Sequence, residues 1–238
     1  MADPAEIRRA LHILVEPGGV TELRIVGAEY ARGRVGTLSG YYDYDHLEDL
    51  VQAAAEWDGR SRGVYVTLNP VRPDVLARAA NRLRVPVQQG ESSTSDQDIL
   101  RRRWLPIDLD PVRPSGVSST DLEHDLALQA QARIFDHLAG LGWPEPVMAD
   151  SGNGAHLLYR IDLPNNDDAR QTVERVLKTL ASQFSDRMVS IDTSVANAAR
   201  IWKLYGTTSR KGDSTPERPH RLSRILYVPP YLAKERAA

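Results

Sequence analysis

Two aspartates separated by one apolar residue, Asp108 and Asp110, are the clearest chemical signal in this sequence. Alternate residues of a β-strand point to the same face, so both carboxylates project together while Ile107 and Leu109 face the other side. Two carboxylates this close repel each other, and a cation between them would relieve the repulsion. Hard divalent cations take oxygen ligands. The pair therefore predicts a metal site, although Asp-x-Asp alone also occurs in many loops.

A glycine-rich turn that leads to a histidine is the second signal. A hairpin turn alone explains Asn153 and Gly154, but it does not explain Ser151, Gly152 and His156 together with them. Backbone N–H groups of a tight glycine turn can hold phosphate oxygens, and Ser151 would add a hydroxyl. His156 can donate to a phosphate from the outgoing strand, although a single strand histidine is more often structural.

A third carboxylate, Asp192, follows the apolar run 188–191. An aspartate at the end of a strand is usually a turn former. Adjacent strands can also bring it beside Asp108 and Asp110 as a third metal ligand. Two ions about 3.5–4 Å apart can then activate an attacking hydroxyl and stabilise a departing pyrophosphate oxygen.

Basic residues lie downstream of this aspartate, at Arg200, Lys203 and Lys211. A basic loop most often forms solvated surface. Close to a metal site, the same residues would neutralise a triphosphate, arginine through two hydrogen bonds and lysine as a point charge. In a strand, Arg200 and Lys203 point to opposite faces, so the pattern favours only one of them at the site.

Composition limits the function classes. The chain has 238 residues and a net charge of -2, so any contact with a polyanion must come from a local patch, for which Arg72, Arg101, Arg102 and Arg103 are candidates. Cysteine is absent, which excludes disulfides, thiol nucleophiles and cysteine-containing zinc sites in this sequence. No apolar run approaches the length of a membrane span and the first residues do not resemble a signal peptide, so a cytoplasmic location is expected.

The elements that must position these residues have a recognisable order. Strands are predicted at 103–109, 146–148, 155–161 and 188–192, with helices at 121–138 and 168–184. A capping box, Thr120 to Glu123, begins the first of these helices. The order β-α-β-β-α-β is that of a ferredoxin-like or RNA-recognition-type (RRM-like) sheet.

A polar loop at 88–98 separates this region from an N-terminal α/β module. We therefore predict an α+β fold in which the N-terminal module packs on an RRM-like (ferredoxin-like) sheet, with the catalytic cleft between them. The expected organisation is a single catalytic domain over 1–238, with approximate sub-modules 1–98 and 99–238.

Taken in order, the motifs resemble those of the archaeo-eukaryotic primase superfamily, in its primase-polymerase branch. That family has an acidic pair on a strand, then a serine-glycine turn reaching a histidine, then an aspartate after an apolar strand with basic residues downstream. The matching positions are Asp108 and Asp110, then Ser151, Gly152, Asn153, Gly154 and His156, then Asp192, with Arg200, Lys203 and Lys211. The similarity covers at least residues 100–215 and is greatest to primase-polymerases of plasmids, phages and CRISPR loci.

The resemblance implies a DNA-directed nucleotidyltransferase. A primer 3′-hydroxyl, or that of an initiating nucleotide, would attack the α-phosphorus of an NTP or dNTP and release pyrophosphate. Asp108, Asp110 and Asp192 would be the catalytic residues and would hold two Mg²⁺ or Mn²⁺ ions. The implied partners are single-stranded DNA template and primer, and a helicase, reverse transcriptase or other domain fused or encoded nearby. Many relatives carry a cysteine-based zinc element that aids priming, which this sequence lacks.

Two other functions compete with this one. A two-metal nuclease would use the same carboxylates without needing a triphosphate pocket. A non-catalytic module on an RRM-like sheet would bind single-stranded nucleic acid by stacking bases on exposed aromatic residues. Aromatic residues make up only 6% of the chain, and carboxylates stand where such aromatics are expected, which disfavours the second alternative.

Overall fold

A computed structural model describes residues 1–84 and 93–235 of the chain. Of the predicted polar loop 88–98, residues 88–92 lie outside the described part. The chain divides into two units, the first formed by Met1–Arg103, Leu163–Asn165 and Ala198–Thr208, and the second by Trp104–Asp162, Asn166–Asn197 and the residues from Ser209 onward. In this division, residues 99–103 and two later segments lie in the first unit, whereas the predicted N-terminal sub-module ends at residue 98.

The helices and strands of the described residues are as follows. The helices are α1 (Pro4–Leu14), α2 (Leu47–Trp57), α3 (Asp121–Gly140), α4 (Asp167–Phe184) and α5 (Pro230–Glu235). The strands are β1 (Val20–Ala31), β2 (Arg34–Asp43), β3 (Gly63–Thr67), β4 (Arg101–Pro111), β5 (Val147–Asp150), β6 (Ala155–Pro164), β7 (Val189–Ile191), β8 (Ile201–Lys203), β9 (Thr208–Ser209), β10 (Arg221–Leu222) and β11 (Arg224–Tyr227). Among the described helices, none combines the length and the apolar character needed to cross a bilayer.

The first unit is built on a sheet with strand order β2-β1-β3-β8. Its strands pair antiparallel, and β8 joins the edge of β3 with Trp202 opposite Val66. Trp202 is buried there, which explains why a segment so late in the sequence belongs to this unit. Helix α1 begins after Asp3, whose carboxylate accepts from the N–H of Ala5, and it buries one apolar face.

The second unit is built on a sheet with strand order β11-β5-β6-β4-β7. Pairing is antiparallel between β11 and β5, between β5 and β6, and between β4 and β7. These sheets and helices confirm a mixed α/β, α+β-type fold. The predicted hairpin is also present, because Asp150 pairs with Ala155 and leaves a four-residue turn between them.

Helix α3 begins where the sequence predicts. The Thr120 hydroxyl accepts from the N–H of Glu123 at 3.1 Å, and the Glu123 carboxylate accepts from the N–H of Thr120 at 2.8 Å. Both halves of the capping box are therefore formed. This reciprocal cap fixes the start of the helix that follows the acidic strand β4 in the sequence.

Candidate active site

Strand β4 places Asp108 and Asp110 on one face of the second unit's sheet. Ile107 and Leu109 are buried, whereas both aspartates keep partial exposure, which is the alternation that the sequence predicts. Because Leu109 pairs with Ile191 of β7, the next pair along the ladder sets Asp108 opposite Asp192. The N–H of Asp192 donates to the carbonyl oxygen of Asp108 at 2.9 Å. The backbones at all three aspartates therefore lie on adjacent strands.

The carboxylate of Asp192 has a local partner as well. Its Oδ1 accepts from the N–H of Ser194 at 2.8 Å and begins the short 3₁₀ turn Thr193–Ala196. Within residues 1–84 and 93–235, no group of three or more histidine, aspartate or glutamate side chains is arranged to hold a metal ion. The fit to a divalent cation therefore rests on the Asp108–Asp110 pair, whose oxygen donors are those that Mg²⁺ and Mn²⁺ prefer.

The electrostatics at Asp110 disfavour the charged form of its carboxyl group. Burial raises the pKa of the Asp110 carboxyl above its ordinary value, and the charge of Asp108 raises this pKa further. The positive charges of Lys211, Arg113 and His156 oppose both effects. A divalent ion would act in the same direction as these positive charges and would relieve the repulsion between the two aspartates.

Arg113 is a residue that the sequence analysis did not select. Its Nη1 and Nη2 both lie 3.5 Å from Oδ1 of Asp110, and its Nε donates to the carbonyl oxygen of Val117 at 3.1 Å. Only 6% of its side chain is exposed. The sequence did carry a signal for this contact, namely an arginine three residues after Asp110. At that spacing the chain can turn back and bring the guanidinium to the carboxylate.

His156 lies beside the first aspartate of the pair. It is buried on β6, and its Nε2 is 3.3 Å from Oδ1 of Asp108. Both residues belong to the second unit, so the glycine-rich turn and the acidic strand meet at this contact. An imidazole held here can donate to the carboxylate or to an anionic ligand next to it.

The turn between β5 and β6 is held by hydrogen bonds within the hairpin and by others from Ser119 and Ser209. The N–H of Gly154 donates to the Ser151 hydroxyl at 2.9 Å, and the N–H of Gly152 donates to Oδ1 of Asp150 at 2.7 Å. The side-chain oxygen of Asn153 accepts from the N–H of Ser119 at 2.9 Å. These contacts hold the shape of the turn. Because the Ser151 hydroxyl accepts in its bond with Gly154, its O–H can still donate to a ligand.

Glycine is required at two positions of this turn. Gly152 has a φ of +85°, which a residue with a Cβ rarely adopts. At Gly154, a Cβ would overlap the carbonyl oxygen of Leu109, the residue between the two aspartates. The glycine therefore lets the turn press directly against the acidic strand.

The predicted basic residues divide between the units. Lys211 belongs to the second unit, and its charge acts on Asp110. Arg200 and Lys203 belong to the first unit. The buried Nζ of Lys203 donates to the carbonyl oxygen of Thr208 at 2.9 Å and lies 5.7 Å from the centre of the Tyr65 ring. That ammonium therefore has partners within its own unit.

The predicted template-binding arginines all lie in the first unit. Arg102 is buried at 4% exposure. Arg103 forms an ion pair with Glu16 at 3.2 Å, and Arg72 forms one with its neighbour Asp74 at 3.2 Å. Arg101 keeps partial exposure at the start of β4.

Comparison with protein-family models gives no match to this sequence, and no curated protein is significantly similar to it. Solved structures do match. The primase-polymerase (AEP) domain of cyanophage S-2L is 13% identical, with a TM-score of 0.53 over 98% of this chain and 97% of that one. The primase RepB′ is 11% identical, with a TM-score of 0.52 over 98% of this chain. The fold is that of a primase-polymerase.

This fold agrees with the resemblance that the motifs show in the sequence. The chain spans 62% of the length of the RepB′ structure, so that protein contains more than the part matched here. In the primase-polymerase fold of this chain, the acidic pair and the histidine turn are brought together within one unit.

Proposed function

We propose that this chain is a template-dependent DNA primase-polymerase, which transfers a nucleotide from an NTP or dNTP to a 3′-hydroxyl and releases pyrophosphate, and which also synthesises primers de novo. The observation that carries the proposal is the contact of His156 with Asp108, next to Asp110 and opposite Asp192, in a chain with a primase-polymerase fold. Nucleotidyl transfer needs stabilisation of negative charge and precise placement of two reactants, which such a cluster can supply through the divalent ions that it would hold.

Asp108 and Asp110 would hold the divalent ions, with Asp192 as the third ligand. One oxygen of Asp192 caps the turn at Ser194, which leaves its other oxygen for a metal. When bound, Mg²⁺ or Mn²⁺ would supply Lewis acidity at the reacting phosphate and lower the pKa of the attacking hydroxyl. The chain's own part is to hold these carboxylates on one strand face, where buried Ile107 and Leu109 anchor them.

The triphosphate would lie against the turn, His156 and Lys211. Ser151 and His156 contribute donors, and Lys211 contributes a positive charge that already acts on this cluster. Gly152, Asn153 and Gly154 shape the turn. The roles of Arg200 and Lys203 as further cations for the phosphates stay predictions from the order of the motifs.

The proposed partners are single-stranded DNA template and primer. We keep Arg72, Arg101, Arg102 and Arg103 as the proposed template contacts, and Arg101 keeps partial exposure at the start of β4. Two observations support the interpretation of the second unit's sheet as RRM-like (ferredoxin-like). Along the chain the elements run β4-α3-β5-β6-α4-β7, which is the order β-α-β-β-α-β, and in the sheet these strands lie side by side as β5-β6-β4-β7.

The test is incubation of the protein with single-stranded DNA template, labelled nucleotides and Mn²⁺, with and without a primer. We expect products whose length and sequence depend on the template, both with a primer and without one. Omission of nucleotides serves as the control. Shortening of the template in the absence of nucleotides would indicate the nuclease instead, and binding of DNA without either reaction would indicate the non-catalytic module.

A further inference from the structure

Helix α3 buries two polar side chains on one face. His124 is 8% exposed and Gln131 is 2% exposed, and they lie seven residues apart, which is about two helical turns. A buried polar group costs free energy unless it forms hydrogen bonds. The partners of both side chains are therefore informative, and each belongs to the hairpin that carries the glycine-rich turn.

His124 contacts the residue that begins the turn. Its Nε2 lies 2.8 Å from Oδ1 of Asp150, whose residue is 3% exposed. The same oxygen accepts from the N–H of Gly152 at 2.7 Å. The side chain of α3 is thus connected through one carboxylate oxygen to the left-handed glycine of the turn.

Gln131 contacts both strands of the hairpin. Its Nε2 donates to the carbonyl oxygens of Ala149 at 2.9 Å and of His156 at 2.6 Å. Ala149 and His156 are opposite each other in the β5–β6 ladder. One amide group therefore joins both strands at the register position that carries His156.

We propose that His124, Asp150 and Gln131 are positioning residues for the nucleotide site: α3 sets the turn through His124 and Asp150, and sets His156 through Gln131. This inference rests on the proposed function, because it assigns the turn and His156 to the triphosphate. None of the three residues is placed in contact with the substrate. Their role is to fix donors in advance, so that binding the triphosphate does not have to order them.

The first arm of the test compares variants of His124. His124→Leu removes the ring nitrogen that contacts Asp150, whereas His124→Gln keeps a donor at a similar reach. His137→Leu is the matched control, since His137 is exposed on the same helix and touches only the edge of the Phe184 ring among the contacts described. We expect H124L to raise the KM for the nucleotide about tenfold, with kcat changed about threefold or less. H124Q and H137L should stay close to wild type.

The second arm asks whether Gln131 acts through His156. Gln131→Leu keeps a similar volume and removes both donated hydrogen bonds. We expect Q131L to raise the KM for the nucleotide several-fold in the wild-type background, and to raise it little further in the H156A background. Such non-additivity is the sign of two residues acting on one interaction. A purely structural glutamine would raise KM equally in both backgrounds, or would lower only the melting temperature, and either result overturns its positioning role.

Amide hydrogen exchange separates a failure of this inference from a failure of the proposed function. If wild-type protein neither binds nor incorporates nucleotides, the proposed function is wrong. The exchange rate at Gly152 still tests the positioning: it should rise in H124L and not in H124Q or H137L. If wild-type protein is active and H124L leaves both KM and the Gly152 exchange rate unchanged, the positioning inference is wrong while the function stands.

Discussion

In the first unit, the buried carboxylate of Glu22 accepts hydrogen bonds from Arg24 and Ser39, and Asp98 is bound by Arg78 and Ser95. In the second unit, two aspartates share one strand face, and burial together with the charge of its neighbour raises the pKa of Asp110. The first unit uses its acidic side chains to stabilise its fold. The second keeps a pair whose mutual repulsion opposes folding, which is the pattern expected where a charge serves a ligand.

The largest test of this comparison removes the acidic pair. We expect Asp108→Ala with Asp110→Ala to lower nucleotide incorporation by at least about a hundredfold, because the ligands for the divalent ions are lost. The melting temperature should be unchanged or higher, since two like charges are removed from one strand face. Incorporation assays and thermal melts measure the two effects.

The control for charge alone is Asp125→Ala with Asp136→Ala, two exposed aspartates of α3. This variant removes the same number of charges from the second unit and should keep its activity. Full incorporation by the Asp108 and Asp110 variant would show that the metal assignment is wrong.

The next test changes the packing of the glycine turn on β4 and leaves the charges of the site unchanged. Gly154→Ala places a methyl group against the carbonyl oxygen of Leu109, so we expect the free energy of unfolding to fall by about 2–3 kcal/mol. Gly140→Ala is the matched control because a Cβ there meets nothing within 4 Å, and alanine at that helix position should be neutral or slightly stabilising. Chemical denaturation of both variants gives the comparison. Equal stability of the two would mean that the turn does not pack tightly on β4.

A pH titration tests the structural carboxylate of the first unit. The hydrogen bonds from Arg78 hold the pKa of Asp98 at about 2, below its ordinary value. A lowered pKa in the folded state gives stability that is present above the unfolded pKa and is lost as the pH falls toward 2. Since Arg78 is partly exposed, we expect Asp98→Asn to cost about 1–2 kcal/mol at pH 7.

The cost of Asp98→Asn should shrink as the pH is lowered from 4 to 2, because the wild-type carboxylate then becomes protonated. Denaturant titrations at several pH values measure the difference between the two proteins. A difference that does not change with pH would show that Asp98 acts by packing rather than by its charge.

Replacement of His156 tests whether this histidine binds the nucleotide or stabilises the fold. If it donates to a triphosphate oxygen, His156→Ala should weaken nucleotide binding about tenfold and leave DNA binding nearly unchanged. A packed structural histidine would instead lower stability and all activities together. A melting curve beside a nucleotide titration distinguishes these outcomes, and the contact with Asp108 predicts that the effect on binding depends on the divalent ion.

The parts of this fold that follow from short-range patterns could be predicted from the sequence. Alternation along β4 places Asp108 and Asp110 on one face, and the capping box at Thr120 fixes the start of α3, because each depends on residues a few positions apart. Lys203 could not be placed in this way. Its partner Thr208 is nearby in sequence, but the burial of Lys203 depends on the pairing of β8 with β3, which lies more than a hundred residues earlier in the chain. His124 also depends on a contact, with Asp150, that no local spacing encodes.

The smallest expected effect concerns the template. With a net charge near zero, few phosphates can be neutralised, so affinity for single-stranded DNA should fall with a shallow slope in log salt, on the order of two to four released counterions. Arg101→Glu should lower that slope by about one, because one phosphate contact is lost. Arg72→Glu tests a second proposed contact, whose guanidinium is paired with Asp74. Binding of each variant is measured across a salt series. A steep slope, or one that Arg101→Glu leaves unchanged, would place the template on another surface.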